Sequence, residues 1–245
     1  MHRAAHSYHS GARATSTCAR KLLPRFAFQG RITAARGLGY PARAMDEKTL
    51  YSAMLESAWV TARIAVGFGL LVWVAGVLFA RGRPQGAARF ARPGAGPRAL
   101  AQLVALLAGG ALCALTRGEA ARLAPLAQGA IAALAAVFGP LGGMLGAWTA
   151  RTLGHALVFP AEVRGGLVTH GPFGIVRHPF YLSLALWAAG LGLALGSLSG
   201  TLVMLLLYLA ASAWRARLED AVLAEAFPQE YPAYAARVRG FLPKI

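Results

Sequence analysis

Five apolar runs separated by short connectors constrain this chain more than any other feature. Ser57 to Ala80 exceeds the roughly 20 residues that an upright helix needs to cross a bilayer. Arg63, near its outer end, must snorkel towards the interface. Arg98 to Thr116 is the second run. Leu123 to Thr149 is the third, and its Gly139-Pro140 and Gly142-Gly143 predict a kink or a tilted span. Phe180 to Leu195 and Gly200 to Trp214 each fall short of a full span. The uncharged Gly196–Gly200 joins them, which predicts a tight helical hairpin. Beyond Trp214 the chain turns charged and amphipathic, with Leu218, Val222, Leu223 and Phe227 at helical spacing and Pro228 as the stop. The fold class expected is all-α: a polytopic membrane protein with about five transmembrane helices and a C-terminal amphipathic helix.

Composition supports this class. The 245 residues are 57% hydrophobic and 14% charged, against roughly a quarter charged in soluble domains. The formal charge of +16 does not indicate a nucleic-acid partner. Residues 1–44 hold seven Arg and one Lys with no acid, so +8 of the excess lies there. Most of the rest sits in short connectors, where it reports topology. No basic face interleaved with aromatics is present, as a nucleic-acid groove requires. Cys18 and Cys113 have no ligand spacing, and neither a metal site nor a structural disulfide is expected.

Residues 1–44 are Arg-rich, acid-free and lack the apolar heart of a secretory signal. They read as a disordered or transit-like extension, with 45–245 as the membrane domain and Met45 as an alternative start. Charge distribution bears on this choice. With the C-terminus in the cytosol, the arginines of the 81–98 loop and of the 151–179 connector lie inside. The flank Asp46, Glu47, Lys48 and Glu56 then lies outside with a net charge of −2. Attaching residues 1–44 would make that outer flank strongly basic, so the rule favours their removal or absence. The expected location is a bacterial inner membrane, or an organelle membrane if residues 1–44 are a transit peptide.

Two polar clusters flank the predicted hairpin. One holds Arg177, His178, Pro179 and Tyr181, and the other Arg215, Arg217, Glu219 and Asp220. Because the hairpin goes out and returns, both clusters belong at one membrane face. His178 offers a donor or acceptor near neutral pH. Glu219 can accept from hydroxyls or an ammonium, and Arg215 can grip a carboxylate or phosphate. The residues alone leave a plainer reading open. The cations would then be boundary anchors, Pro179 a first-turn proline, and Tyr181 and Trp214 interfacial aromatics.

The ordered set Leu167-Val168-Thr169-His170-Gly171-Pro172-Phe173, Val176-Arg177-His178-Pro179-Phe180-Tyr181, Glu219-Asp220, Leu223, Phe227, Tyr231-Pro232-Ala233-Tyr234, Val238 and Pro243 resembles a known family. It is that of the isoprenylcysteine carboxyl methyltransferases, with their phospholipid N-methyltransferase relatives. The likeness covers about 85 residues, 160 to 245. It implies a membrane enzyme that uses S-adenosylmethionine at the cytosolic face. Leu167, Val168, Phe173, His178, Pro179, Phe180, Tyr181 and Glu219 would line the cofactor pocket, and Arg215 matches the position associated with substrate. His178 and Arg215 are the candidates for a catalytic role. Phe173 stands where the family carries Tyr, and Asp220 where it carries a second Glu.

The expected partners are the lipid bilayer and a lipidic or small apolar acceptor offering a carboxylate, amine or thiol, with no metal and no nucleic acid. A membrane reductase of the sterol or steroid type and a non-enzymatic transporter or structural protein are the alternatives. The first would need a nicotinamide site, for which no added nucleotide-binding feature is found. Against the second, no charged residue falls mid-span and no inverted repeat is visible.

Overall fold

Ala and Gly dominate the inward faces of the apolar runs, and that lets the helices approach closely. The computed structural model describes residues 46–80, 88–91, 95–154, 162–164 and 166–242. Its elements are α1 (Glu47–Ala80), β1 (Ala88–Ala91), α2 (Ala95–Leu115), α3 (Pro125–Leu153), β2 (Glu162–Arg164), α4 (Pro179–Ala194), α5 (Leu198–Ala226) and α6 (Glu230–Arg237). Short 3-10 turns occupy Glu119–Arg122 and Gly171–Gly174. The chain is an all-α membrane protein apart from the short antiparallel pair β1–β2, which the sequence did not suggest. Residues 1–44, Arg81, Arg83, Arg92, His155 and Pro243 lie outside the described residues.

Four stretches are long and apolar enough to cross a membrane: Glu47–Phe79, Gly96–Arg122, Pro125–Leu153 and Leu198–Ala226. The expected fourth span, α4, is a shorter apolar helix of 16 residues. Outward-facing Ile64, Leu71, Phe79, Leu103 and Leu107 are exposed, as suits contact with lipid.

α4 runs beside α3, and α5 beside α2. The glycines of α3 serve these approaches. The helix is continuous from Pro125 to Leu153 with Pro140 inside it. A Cβ at Gly143 would stand 2.1 Å from the Gly69 carbonyl oxygen of α1, and one at Gly142 would stand 2.6 Å from the Ser183 carbonyl oxygen of α4. Without a hydrophobic force to drive helices together in lipid, such small-residue contacts supply the van der Waals packing.

The hairpin expected at Gly196–Gly200 forms, with Gly196 at φ +68° in the left-handed region. Its far arm differs from expectation. The predicted fifth span and the amphipathic segment are one helix, α5, of 29 residues. Nothing between Trp214 and Ala226 breaks a helix, since no Gly or Pro occurs there. Polarity changes at Trp214, but conformation does not. The amphipathic part buries Leu218, Val222 and Phe227 against Tyr231 and Tyr234 of α6.

Glu119 caps α5 from another element. Its Oε2 accepts the N–H groups of Leu198 at 2.9 Å and Ser199 at 2.8 Å, and its Oε1 accepts the Ser199 hydroxyl. This satisfies first-turn donors that have no intrahelical partner, and it puts negative charge at the positive end of the dipole.

Candidate active site

The continuity of α5 carries Arg215, Glu219 and Asp220 back to the start of α4. His178 is the residue before the first turn of α4, and Pro179 opens that helix, where a missing N–H costs nothing. The backbone before α4 is pinned by the chain's end: the N–H of Arg177 donates to the Arg239 carbonyl at 2.8 Å, and that of His178 to the Gly240 carbonyl at 3.0 Å.

His178 is buried, 6% exposed, between two carboxylates. Its Nε2 lies 3.0 Å from Asp220 Oδ1, and its Nδ1 lies 3.7 Å from Glu219 Oε2. Burial opposes charge on the ring, but the hydrogen bond to Asp220 and the nearby charges of Asp220 and Glu219 outweigh it, so the His178 pKa is raised above its ordinary 6.5. The Nε2–H of His178 donates to the Asp220 carboxylate. The same carboxylate accepts the Tyr231 hydroxyl and pairs with Arg177 Nη1 at 3.3 Å, while Arg177 Nη1 also donates to the Tyr231 oxygen at 3.0 Å.

Glu219 serves a second network. Its Oε1 accepts the Tyr181 hydroxyl and the Arg215 Nε–H, the latter at 3.0 Å. Its Oε2 has His178 Nδ1 at 3.7 Å, beyond hydrogen-bonding distance. That oxygen therefore keeps accepting capacity for a ligand. Arg215 is 4% exposed and reaches across to α2, where its Nη1 donates to Gln102 Oε1 at 3.4 Å. Gln102 in turn donates to Ser212 at 2.9 Å.

An aromatic surface adjoins these groups. The rings of His178 and Tyr181 stack at 5.7 Å, and Phe241 lies 5.4 Å from His178 and 6.4 Å from Tyr181. Phe180 meets Trp73 of α1 at 5.6 Å. Tyr234 donates its hydroxyl to the Phe173 carbonyl at 2.8 Å, which fixes the 3-10 turn ahead of α4. Burial pushes the Tyr234 hydroxyl up to about 12, and burial with the Asp220 bond also raises that of Tyr231.

Of the residues singled out from sequence, His178, Tyr181, Arg215 and Glu219 form one connected cluster. Pro179 is buried beneath it, and Phe180 turns towards α1. Leu167 packs instead against the Leu218–Tyr234 cluster, outside the polar network. Val168 and Phe173 are half-buried. Three contributors escaped the sequence reading. Gln102 carried a signal, being a buried amide in an otherwise apolar run. Phe241 and the pinning of Arg177 by Arg239 carried none, since both depend on how the tail folds back. No group of three or more His, Cys, Asp or Glu side chains placed to hold a metal occurs among the described residues.

Residues 130–230 match the family model described as phospholipid methyltransferase. The chain is 39% identical over 106 residues to the cobalt-zinc-cadmium resistance protein CzcN of Cupriavidus metallidurans, covering 42% of this chain and 48% of that protein. It is 30% identical over 95 residues to a probable protein-S-isoprenylcysteine O-methyltransferase of Oryza sativa subsp. japonica, covering 39% and 50%. It is 34% identical over 79 residues to the protein-S-isoprenylcysteine O-methyltransferase of Schizosaccharomyces pombe, covering 32% and 34%. The chain thus spans half or less of the length of these relatives. The resemblance read from the Leu167–Tyr181 and Glu219–Tyr234 motifs is borne out: this part of the chain is similar to the isoprenylcysteine and phospholipid methyltransferases.

Proposed function

We propose that the chain is an integral-membrane methyltransferase that takes its methyl group from S-adenosylmethionine at the cytosolic face and passes it to a lipidic or small apolar acceptor. The observation that carries this reading is the meeting of His178, Tyr181, Arg215 and Glu219 within the stretch similar to membrane methyltransferases.

The donor set suits the cofactor. Glu219 Oε2 retains accepting capacity, fit for a ribose hydroxyl or the amino-acid ammonium. The His178, Tyr181 and Phe241 rings give a planar base a surface to lie against. Once bound, the cofactor supplies an already activated sulfonium methyl, which leaves the protein to provide proximity, alignment and exclusion of water. Asp220 holds His178 in place, and Arg215, held by Glu219 and Gln102, is the group available to orient an acidic acceptor. A carboxylate acceptor needs no base, whereas an amine must first lose a proton.

The test is purified protein with radiolabelled S-adenosylmethionine and total membrane extract, followed by identification of the labelled product. Transfer to a membrane-extractable species is expected, and failure to bind the cofactor at all would discard the reading. The reductase and transporter alternatives have no observation in their favour.

A further inference from the structure

Gln102 is the one amide in α2, and it is 7% exposed. A buried amide is costly unless each end finds a partner. Both ends do. Its Nε2 donates to Ser212 Oγ at 2.9 Å, and its Oε1 accepts from Arg215 Nη1 at 3.4 Å. This orientation cannot reverse. A guanidinium has no acceptor, so only the amide oxygen can face Arg215, and the amide nitrogen must then face the Ser212 hydroxyl. Ser212 is fully buried one turn after Tyr208, whose hydroxyl donates to the Tyr181 carbonyl at 3.3 Å.

Cohesion between α2 and α5 does not by itself call for this amide. The two helices also meet farther along, where Ala105 packs with Tyr208 and a Cβ at Gly109 would stand 2.4 Å from the Met204 side chain. What the amide adds lies at Arg215. Glu219, one turn on in the same helix, accepts from its Nε at 3.0 Å. A bond at that one nitrogen lets the guanidinium pivot about it. Gln102 takes a second nitrogen from a different helix, and two such bonds fix the plane of the group. The guanidinium carbon then sits 5.9 Å from the centre of the Tyr181 ring on α4. We infer that Gln102 is a positioning residue for methyl transfer: with Ser212 holding its amide, it sets the orientation in which Arg215 meets the acceptor. This inference rests on the methyltransferase reading and deepens it.

The experiment uses the full chain in neutral detergent. Transfer from radiolabelled S-adenosylmethionine is timed against graded amounts of total membrane extract, and cofactor affinity is measured separately by calorimetry. Gln102→Leu, which keeps the volume and removes both hydrogen bonds, should lower kcat/KM for the extract about tenfold, the size of a lost bond to a charged group. Its cofactor Kd should not change. Ser212→Ala, which frees the amide, should give a smaller loss of the same kind. Added to Gln102→Leu it should cost nothing more, because the two residues act through one contact. Unaltered kcat/KM in Gln102→Leu would overturn the inference. So would an equal loss of cofactor affinity, or a Ser212→Ala loss that adds in full to the first. Should Gln102→Leu fail to fold, Ser212→Ala alone decides: lowered transfer at unchanged cofactor affinity supports the inference, and unaltered transfer overturns it. Absent cofactor binding in the unaltered protein would instead overturn the methyltransferase reading.

Discussion

His178 Nε2 and Asp220 Oδ1 stand 3.0 Å apart although 42 residues separate them in sequence. That bond closes the hairpin at its polar end and gives the second acid a distinct task. Glu219 holds Tyr181 and Arg215, while Asp220 holds His178, Arg177 and Tyr231.

Asp220→Asn should weaken S-adenosylmethionine binding about ten- to a hundredfold, the size of a lost charged hydrogen bond of about 1.5–3 kcal/mol. Asp220→Glu should recover part of this, because it keeps a carboxylate on α5 opposite His178. Calorimetric titration of each variant decides it; an unchanged Kd for Asp220→Asn would show that His178 does not depend on this carboxylate.

Glu219→Gln should abolish measurable cofactor binding while the protein still folds in detergent, since the amide oxygen still accepts from Tyr181 and Arg215. Glu219→Ala should also be destabilised, by about 3–5 kcal/mol, because Arg215 becomes a buried cation without its carboxylate. Thermal unfolding beside calorimetry separates the two effects. Cofactor binding by Glu219→Gln at the original affinity would refute the assignment.

The His178 pair should show a defined pH dependence in the cofactor-free protein. Its folded pKa lies above the ordinary 6.5, so the folded state holds the proton more tightly than the unfolded state does. The resulting stability is fully present below pH about 6.5 and is lost as pH rises through the raised value. The unfolding-temperature gap between the unaltered protein and Asp220→Asn should therefore narrow with rising pH. A gap that widened would reverse the sign and the argument.

Glu119→Ala should lower the unfolding temperature through loss of the cap on α5. Cofactor affinity should not change, because the cap lies at the opposite end of α5 from Glu219. Paired unfolding and binding measurements test this; a large loss of affinity would mean that the cap positions the site.

Gly143→Val should prevent native assembly, because its Cβ would stand 2.1 Å from the Gly69 carbonyl oxygen, a backbone atom that cannot step aside. Loss of a monodisperse species in gel filtration is expected, whereas Gly110→Ala, where a Cβ meets nothing within 4 Å, should behave as the unaltered protein.

Much of the fold was legible because its determinants are local. Apolar length predicts helices that cross lipid, and Gly196 with its uncharged neighbours predicts the hairpin. Two features were not. The glycines of α3 read as a kink or a tilted span, and they also form surfaces on which α1 and α4 pack, a contact that one stretch of sequence does not show. The polarity change at Trp214 looked like an element boundary, although no residue there stops a helix.

The sequence by itself determined the membrane class, the hairpin and the identity of the two polar clusters, since hydropathy and residue chemistry act over a few residues. Only the tertiary structure decided how the clusters divide their work. Which carboxylate faces His178 and which faces Arg215 depend on the rotation of α5 against α4 and α2. Packing across the whole bundle sets that rotation.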